Sequence, residues 1–223
     1  MSIGFGTFLA VVAALLMNEL RAGAFLRVSQ SVLIFPNFLS WVVVSYIVFS
    51  IFSSERGFLN AVLRGMDLEA VSWYSKPQYW RAILTSIKVW KGLGINSVIF
   101  LAAIAAIDGG LYEAARIDGA SRWRQTTRIT LPLLAPTVTI LALLSVGRIF
   151  YGDFQMMYSI VQDNGLLLPV TDVIDTYVYR ALRTTGDPSS AMAVGLYQAL
   201  VGFALVFGSN WLIRRKYPEG ALF

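Results

Sequence analysis

Residues 108–132 read DGGLYEAARIDGASRWRQTTRITLP, from Asp108 to Pro132, and this stretch decides the fold. It is polar and carries Arg116, Arg122, Arg124 and Arg128, yet long apolar segments flank it on both sides. A basic island between two apolar runs is what a membrane protein leaves in water on one side of a bilayer. Its own chemistry predicts a helix–turn–helix. Asp108 is placed to cap a short helix running through Leu111 to Arg116. Ala114 and Ala115 are small and helix-favouring, so another surface can approach the backbone closely. Gly119 suits a left-handed helix stop. Ser121 then caps a second helix carrying Arg122, Trp123, Arg124, Gln125 and Arg128. Pro132 fits the first turn of the following apolar helix, where no amide donor is needed.

Composition agrees. The 223 residues are 57% hydrophobic and only 14% charged, with a mean hydropathy of +0.64. A soluble domain carries about 25% charged residues, so the chain reads as an integral membrane protein. Its length allows one domain, residues 1–223, with the polar loop 108–132 inside it. There is no Cys and no His, which removes disulfides, thiolate chemistry, the commonest general base and the commonest metal ligand. The net charge of +5 fits cytoplasmic loops better than a nucleic-acid face. The start, MSIGFGTFLAVV, lacks the basic region of a signal peptide.

Five stretches predict a polytopic all-α bundle of about five spans: Ile3–Met17, Val32–Phe52, Leu93–Ile107, Leu133–Phe150 and Ala191–Ile213. A bilayer core of ~30 Å needs about 20 helical residues, so the first and third extend into their flanks. With the loop 108–132 in the cytoplasm, alternation also puts Arg21, Arg27 and Arg214-Arg215-Lys216 inside. Ser53–Lys91 and Gly152–Ser190 then lie outside. The first of these holds six basic residues, so the bias is not clean.

Between the spans, Leu20, Ala24 and Val28 predict that the first helix continues through Asn18–Ser31. Pro36 reads as a first-turn proline of the second span or as a kink. Phe58, Leu59, Val62 and Leu63 predict a short amphipathic helix ended by Gly65. Trp73, Tyr74, Tyr79 and Trp80 suit an interfacial belt or packing, and alternatively sugar stacking or protein docking. Pro77 opens a helix expected to lie on the surface before entering the membrane near Gly92–Gly94. Arg148 either snorkels to the outer interface or faces a pathway, with Asp153 within reach. Asp163-Asn164-Gly165 signals a turn, and Gly186-Asp187-Pro188 a helix end. Thr171 is expected to cap a helix through Ala181, with Asp172 and Asp175 near its start and Arg180 and Arg183 near its end complementing the dipole or, alternatively, offering a contact to another protein. Gly195, Gly202 and Gly208 suit close helix packing. Tyr197, Gln198 and Asn210 are polar handles, for bundle packing or for sugar contact.

The spacing in the central loop resembles a known family. Glu113-Ala114-Ala115, three residues, Gly119, nine residues, Ile129, one residue, Leu131-Pro132 is similar to the EAA loop of ABC importer permeases. The wording LYEAARIDGASRWRQTTRITLPLLAP looks like the carbohydrate branch, of the maltose-transporter type. The stretch DVIDTYVYRALRTTGDPSSAMAVGLYQ resembles oligo- and polysaccharide permeases of that branch. This resemblance implies a subunit of a bacterial or archaeal inner-membrane importer, multi-pass, with the EAA loop and the C-terminus cytoplasmic. Family members usually carry one more span before the first one here, with the N-terminus inside. The implied partners are ATP-binding cassette ATPase subunits, a second homologous permease, an extracytoplasmic solute-binding protein, a carbohydrate substrate and membrane lipids. Glu113, Ala114, Ala115, Arg116, Asp118, Gly119, Ile129, Leu131 and Pro132 would make the ATPase-docking site, with Arg122 adding to its charged rim. Arg148, Tyr197 and Gln198 are candidates for the substrate path.

The chain holds no G-x-x-x-x-G-K-[ST] phosphate loop, so ATP and Mg are expected in the separate ATPase and no cofactor in this chain. No catalytic constellation, metal-site pattern, intramembrane carboxylate relay or inverted repeat stands out. Two alternatives remain: import of a peptide, amino acid or ion, and a membrane-anchored DNA-binding helix–turn–helix using Arg122, Arg124 and Arg128. The leading reading involves no nucleic acid.

Overall fold

Backbone amides in hydrocarbon must be satisfied within the chain, and a helix does this locally. The computed structural model describes residues 2–20, 23–149, 151–186 and 188–216. Expectations for Met1, Arg21, Phe150, Asp187 and the tail from Tyr217 lie outside them. Among the described residues there are twelve α-helices and no strand. Three helices are long and apolar enough to cross a membrane: Pro77–Ala105, Arg122–Gly147 and Ala191–Arg215. Ala24–Phe38 and Trp41–Phe52 pass the same test only when taken together, as a broken span or a re-entrant loop, and Ile3–Glu19 is a shorter apolar helix. Among the described residues each of the five predicted apolar stretches is mostly helical, and one is split.

The chain divides into two compact units. The first comprises Met1–Phe38, Lys88–Gly147 and Phe203–Phe223. Here α1 (Ser2–Glu19) packs on α5 (Pro77–Ala105) and α8 (Leu131–Gly147), with Ala10, Ala14, Phe100, Ile104 and Leu134 buried together. The expected continuation of α1 does not occur. It stops at Glu19, and α2 (Ala24–Phe38) starts afresh.

The second predicted span is likewise broken. Helix α2 ends at Phe38, and Ser40 caps α3 (Trp41–Phe52) by accepting from the Val43 amide at 3.3 Å. Pro36 therefore sits in the last turn of α2, not in a first turn. The Lys91 ammonium donates to the carbonyls of Pro36 at 3.2 Å and Asn37 at 2.9 Å. A cation thus serves the orphan carbonyls of that helix end. Helix α5 also differs from expectation: its 29 residues run without a break through Gly92–Gly94, about 44 Å at 1.5 Å per residue. Gly94 has another use. A Cβ there would lie 2.0 Å from the Leu33 carbonyl oxygen, so the backbones of α2 and α5 touch at this point.

The second unit comprises Leu39–Ile87 and Arg148–Gly202. Its core gathers Val44 and Val48 of α3, Trp80 and Leu84 of α5, Met156, Ile160 and Val161 of α9 (Phe154–Val161), and Leu167. Trp80 is fully buried and donates its indole N–H to the Trp73 carbonyl at 2.9 Å, so it belongs to the core and not to an interfacial belt. The expected amphipathic helix is present as α4 (Phe58–Gly65). Its Asn60 is fully buried. The amide of that side chain donates to the carbonyls of Ser53, Ser54 and Val71, while its oxygen accepts from the Val71 amide and the Trp73 indole.

Thr171 does not cap the next helix. It ends the short α10 (Leu168–Thr171), and α11 (Ile174–Thr185) starts after Val173, whose amide donates to the Thr176 hydroxyl at 3.0 Å. Nor do the charges of α11 act only on its dipole: Arg180 pairs with Asp172 and Arg183 with Asp163. Gly186 closes α11 at φ +68°, the left-handed stop that glycine favours. Helix α12 (Pro188–Lys216) follows. Gly195 and Gly208 face open space within this chain, so neither serves a close helix contact here.

Candidate functional site

The central loop folds as its chemistry suggests. The Asp108 carboxylate accepts from the Gly110 amide at 2.9 Å and starts α6 (Gly109–Ile117). Gly119, at φ +75°, stops it, and the Ala120 amide returns to the Ala115 carbonyl at 2.8 Å. Ser121 caps α7 (Arg122–Gln125), accepting from the Arg124 amide at 3.4 Å. Gln125 is buried and ties the turn down by donating to the Ala120 carbonyl at 2.9 Å.

Pro132 is placed differently from expectation. Helix α7 runs into α8 through a π-helical turn, Thr126–Thr130, so Arg122–Gly147 is one 26-residue rod. Proline lacks an amide, and its ring crowds the carbonyl four residues back, here that of Arg128. A widened turn ahead of Pro132 relieves that clash without ending the helix.

Most of the site residues are exposed. Glu113, Ala114, Arg116, Asp118 and Gly119 are exposed, and Ala115 is half-buried. Leu131 and Pro132 are exposed and Ile129 half-buried on the adjoining rod. Helix α6 has no buried residue at all. Ile117 is 87% exposed and Trp123 76% exposed, so this chain leaves two large apolar side chains uncovered at and just beyond the end of a helix without a fully buried residue. Such a surface suits a partner of complementary shape. Behind α6 lies a polar cavity of about 250 Å³ lined by Glu19, Tyr112, Arg122, Gln125 and Thr130, among others. Glu19 and Arg122 form an exposed ion pair across it at 3.9 Å. The Tyr112 and Thr130 hydroxyls meet at 2.9 Å. Sequence reasoning missed Ile117, Gln125 and this hydroxyl pair. The apolar Ile117 beside a turn was readable; a contact across 18 residues was not.

The three path candidates lie elsewhere, in the second unit. Arg148 is exposed in the turn after α8. Tyr197 is exposed on α12, whereas Gln198 is buried and donates to Asp175 at 2.9 Å. The same unit holds a cavity of about 910 Å³ lined by Tyr46, Phe49, Tyr74, Tyr158, Gln162 and Asp163, among others. Burial pushes the Tyr74 phenol up to about 12. The hydrogen bond with Tyr179 raises that of Tyr158.

Comparison with known proteins places this geometry. Protein LplB of Bacillus subtilis is 36% identical over 210 residues, 94% of this chain and 65% of its own length. The polygalacturonan/rhamnogalacturonan transport system permease protein YteP of the same organism is 33% identical over the same shares. The chain thus spans just under two thirds of these curated relatives. A crystal structure of a bacterial ABC transporter involved in the import of the acidic polysaccharide alginate contains a chain that superposes with a TM-score of 0.89 at 33% identity. The match covers 97% of this chain and 75% of that one. Residues 6–216 match one family throughout. The chain is a multi-pass member of the binding-protein-dependent transport system inner membrane components.

Proposed function

We propose that this chain is the permease subunit of an ATP-driven importer that moves oligo- or polysaccharides handed over by an extracytoplasmic solute-binding protein. The carrying observation is α6: a helix with no buried residue, flanked by bare Ile117 and Trp123 and joined by four residues to a 26-residue apolar rod. A separate ATP-binding cassette ATPase, holding ATP and Mg, receives α6 in a cleft. Its closure moves α6 and tilts the spans between inward-open and outward-open states, two arrangements that ATP and the loaded binding protein bias in turn. A second homologous permease completes the path. The loop and the C-terminus face the cytoplasm, where Arg116, Arg122, Arg124 and Arg128 accord with the charge rule.

Glu113, Ala114, Ala115 and Gly119 provide the close fit; Arg116, Asp118 and Arg122 form the charged rim. Ile129, Leu131 and Pro132 set the start of the rod. Arg148, Tyr197 and Gln198 are the path candidates. The internal pairing of Arg180 and Arg183 leaves Arg148 as the strongest candidate contact for an acidic sugar.

Gly119 gives the test. A Cβ there meets nothing within 4 Å, but the φ of +75° strains any other residue. Gly119→Ala therefore reports backbone strain alone, about 1–2 kcal/mol, while Gly119→Trp adds bulk that only an external partner can meet. The expected result is membrane-inserted protein in both, partial transport with alanine and none with tryptophan. Normal transport in Gly119→Trp overturns the docking surface.

A further inference from the structure

We infer that the Tyr112–Thr130 hydroxyl pair is the link that transmits motion of α6 to the membrane rod, making both positioning residues for coupling. This rests on the permease reading. Helix α6 has no fully buried residue, only the half-buried Tyr112 and Ala115, so packing holds it weakly. Among the described residues, Tyr112–Thr130 is the only side-chain hydrogen bond between α6 and another helix, at 2.9 Å. The turn that follows α6 is held by Gln125 on the Ala120 carbonyl, and α7 beyond it by the exposed Glu19–Arg122 pair, neither of which touches α6 itself. An exposed ion pair at 3.9 Å is weak and screened by salt.

Thr130 is built for this use. Thr126 and Thr127 spend their hydroxyls on carbonyls of the preceding turn, Arg122 and Trp123. Thr130 is 3% exposed, and its hydroxyl turns instead to Tyr112. It closes the π-helical turn, the irregular point of the rod, directly before Leu131 and Pro132. Force applied to α6 thus reaches the rod through this hydroxyl pair as well as through the four-residue turn. Without the pair, α6 can swing on that turn while the rod stays still.

The assembled transporter tests this in vesicles, with saccharide uptake and ATP hydrolysis measured together. Tyr112→Phe and Thr130→Val are expected to leave assembly with the ATPase and basal hydrolysis near wild type. Saccharide moved per ATP should fall about fivefold, the factor carried by one ordinary hydrogen bond. Thr130→Ser, which keeps the hydroxyl, should retain normal coupling, and the double variant should be no worse than either single one. A purely structural role lowers assembly and hydrolysis together and gives no such pattern. Should Tyr112→Phe fail to assemble, Thr130→Val against Thr130→Ser reads the same bond from its other end. Wild-type stoichiometry in the single variants, or multiplied losses in the double, overturns the inference alone. A wild-type transporter that hydrolyses ATP without moving saccharide overturns the permease reading and the inference with it.

Discussion

Gly94→Ala is a single methyl placed where two backbones touch. Its Cβ would stand 2.0 Å from the Leu33 oxygen, 2.3 Å from the Leu33 carbonyl carbon and 2.6 Å from the Ile34 nitrogen. Ordinary contact begins near 3.4 Å, so α2 and α5 must part locally by about 1.4 Å, the difference between 3.4 and 2.0. All three obstacles are main-chain atoms of a helix, which no rotamer change can move aside. The Lys91 bonds to Pro36 and Asn37, three residues away on α5, are expected to lengthen with the same shift. Overpacking of this kind costs about 1–3 kcal/mol, with the upper end fitting a main-chain obstacle. The helix propensity of alanine works the other way, by about 1 kcal/mol, and supplies the control. Gly208→Ala, on α12 with open space around it, should gain that propensity without the clash. Thermal unfolding of the purified protein in detergent is the assay. The expected order is Gly208→Ala at or above wild type and Gly94→Ala below it. Equal melting of the two variants refutes the close approach of α2 and α5.

Asn60→Ala removes all five hydrogen bonds of a fully buried side chain and orphans the Val71 amide and the Trp73 indole. The expected loss is about 2–5 kcal/mol, seen as faster proteolysis of the segment 53–73 at unchanged expression. Tyr74 carries a pH signature. Its folded phenol titrates at about 12 against an ordinary 10.0, so the fold prefers the neutral form. That contribution is intact below pH 10 and lost as pH rises towards 12; Tyr74→Phe should flatten the decline in alkaline melts.

Much of this was legible in the sequence, for physical reasons. Asp108, Gly119 and Ser121 act through local backbone chemistry, and each does in the structure what its residue type suggests. Apolar stretches became helices because hydrocarbon leaves few alternatives. The misreadings share one cause, tertiary contact overriding local signals. Of the two readings of Pro36, a first turn or a kink, the first fails: the helix ends two residues later, and Lys91, 55 residues on, serves that end. Gly92 and Gly94 looked like a break because the close neighbour that Gly94 admits lies on another helix. Arg183 does lie in the last turn of α11 with Asp175 in the first, as the dipole reading has it; only the added pairing with Asp163, 20 residues before Arg183, was invisible to helical spacing. Trp80 read as belt or packing by type, and only tertiary structure shows that it packs, within a core. The proposed docking surface rests on a motif legible in the sequence, whereas the Tyr112–Thr130 bond needed coordinates.

The central claim is that α6 enters an ATPase cleft. The chain has no cysteine, so Ala114→Cys on the exposed face of α6 is a unique reporter. In the purified transporter, paired with one cysteine introduced in the ATPase cleft, it should form a cross-linked heterodimer under mild oxidation. The yield should change when ATP closes the ATPase. Leu196→Cys, exposed on α12, should give none. Absence of the adduct from position 114 in an intact complex, or equal cross-linking from 196, would contradict the account.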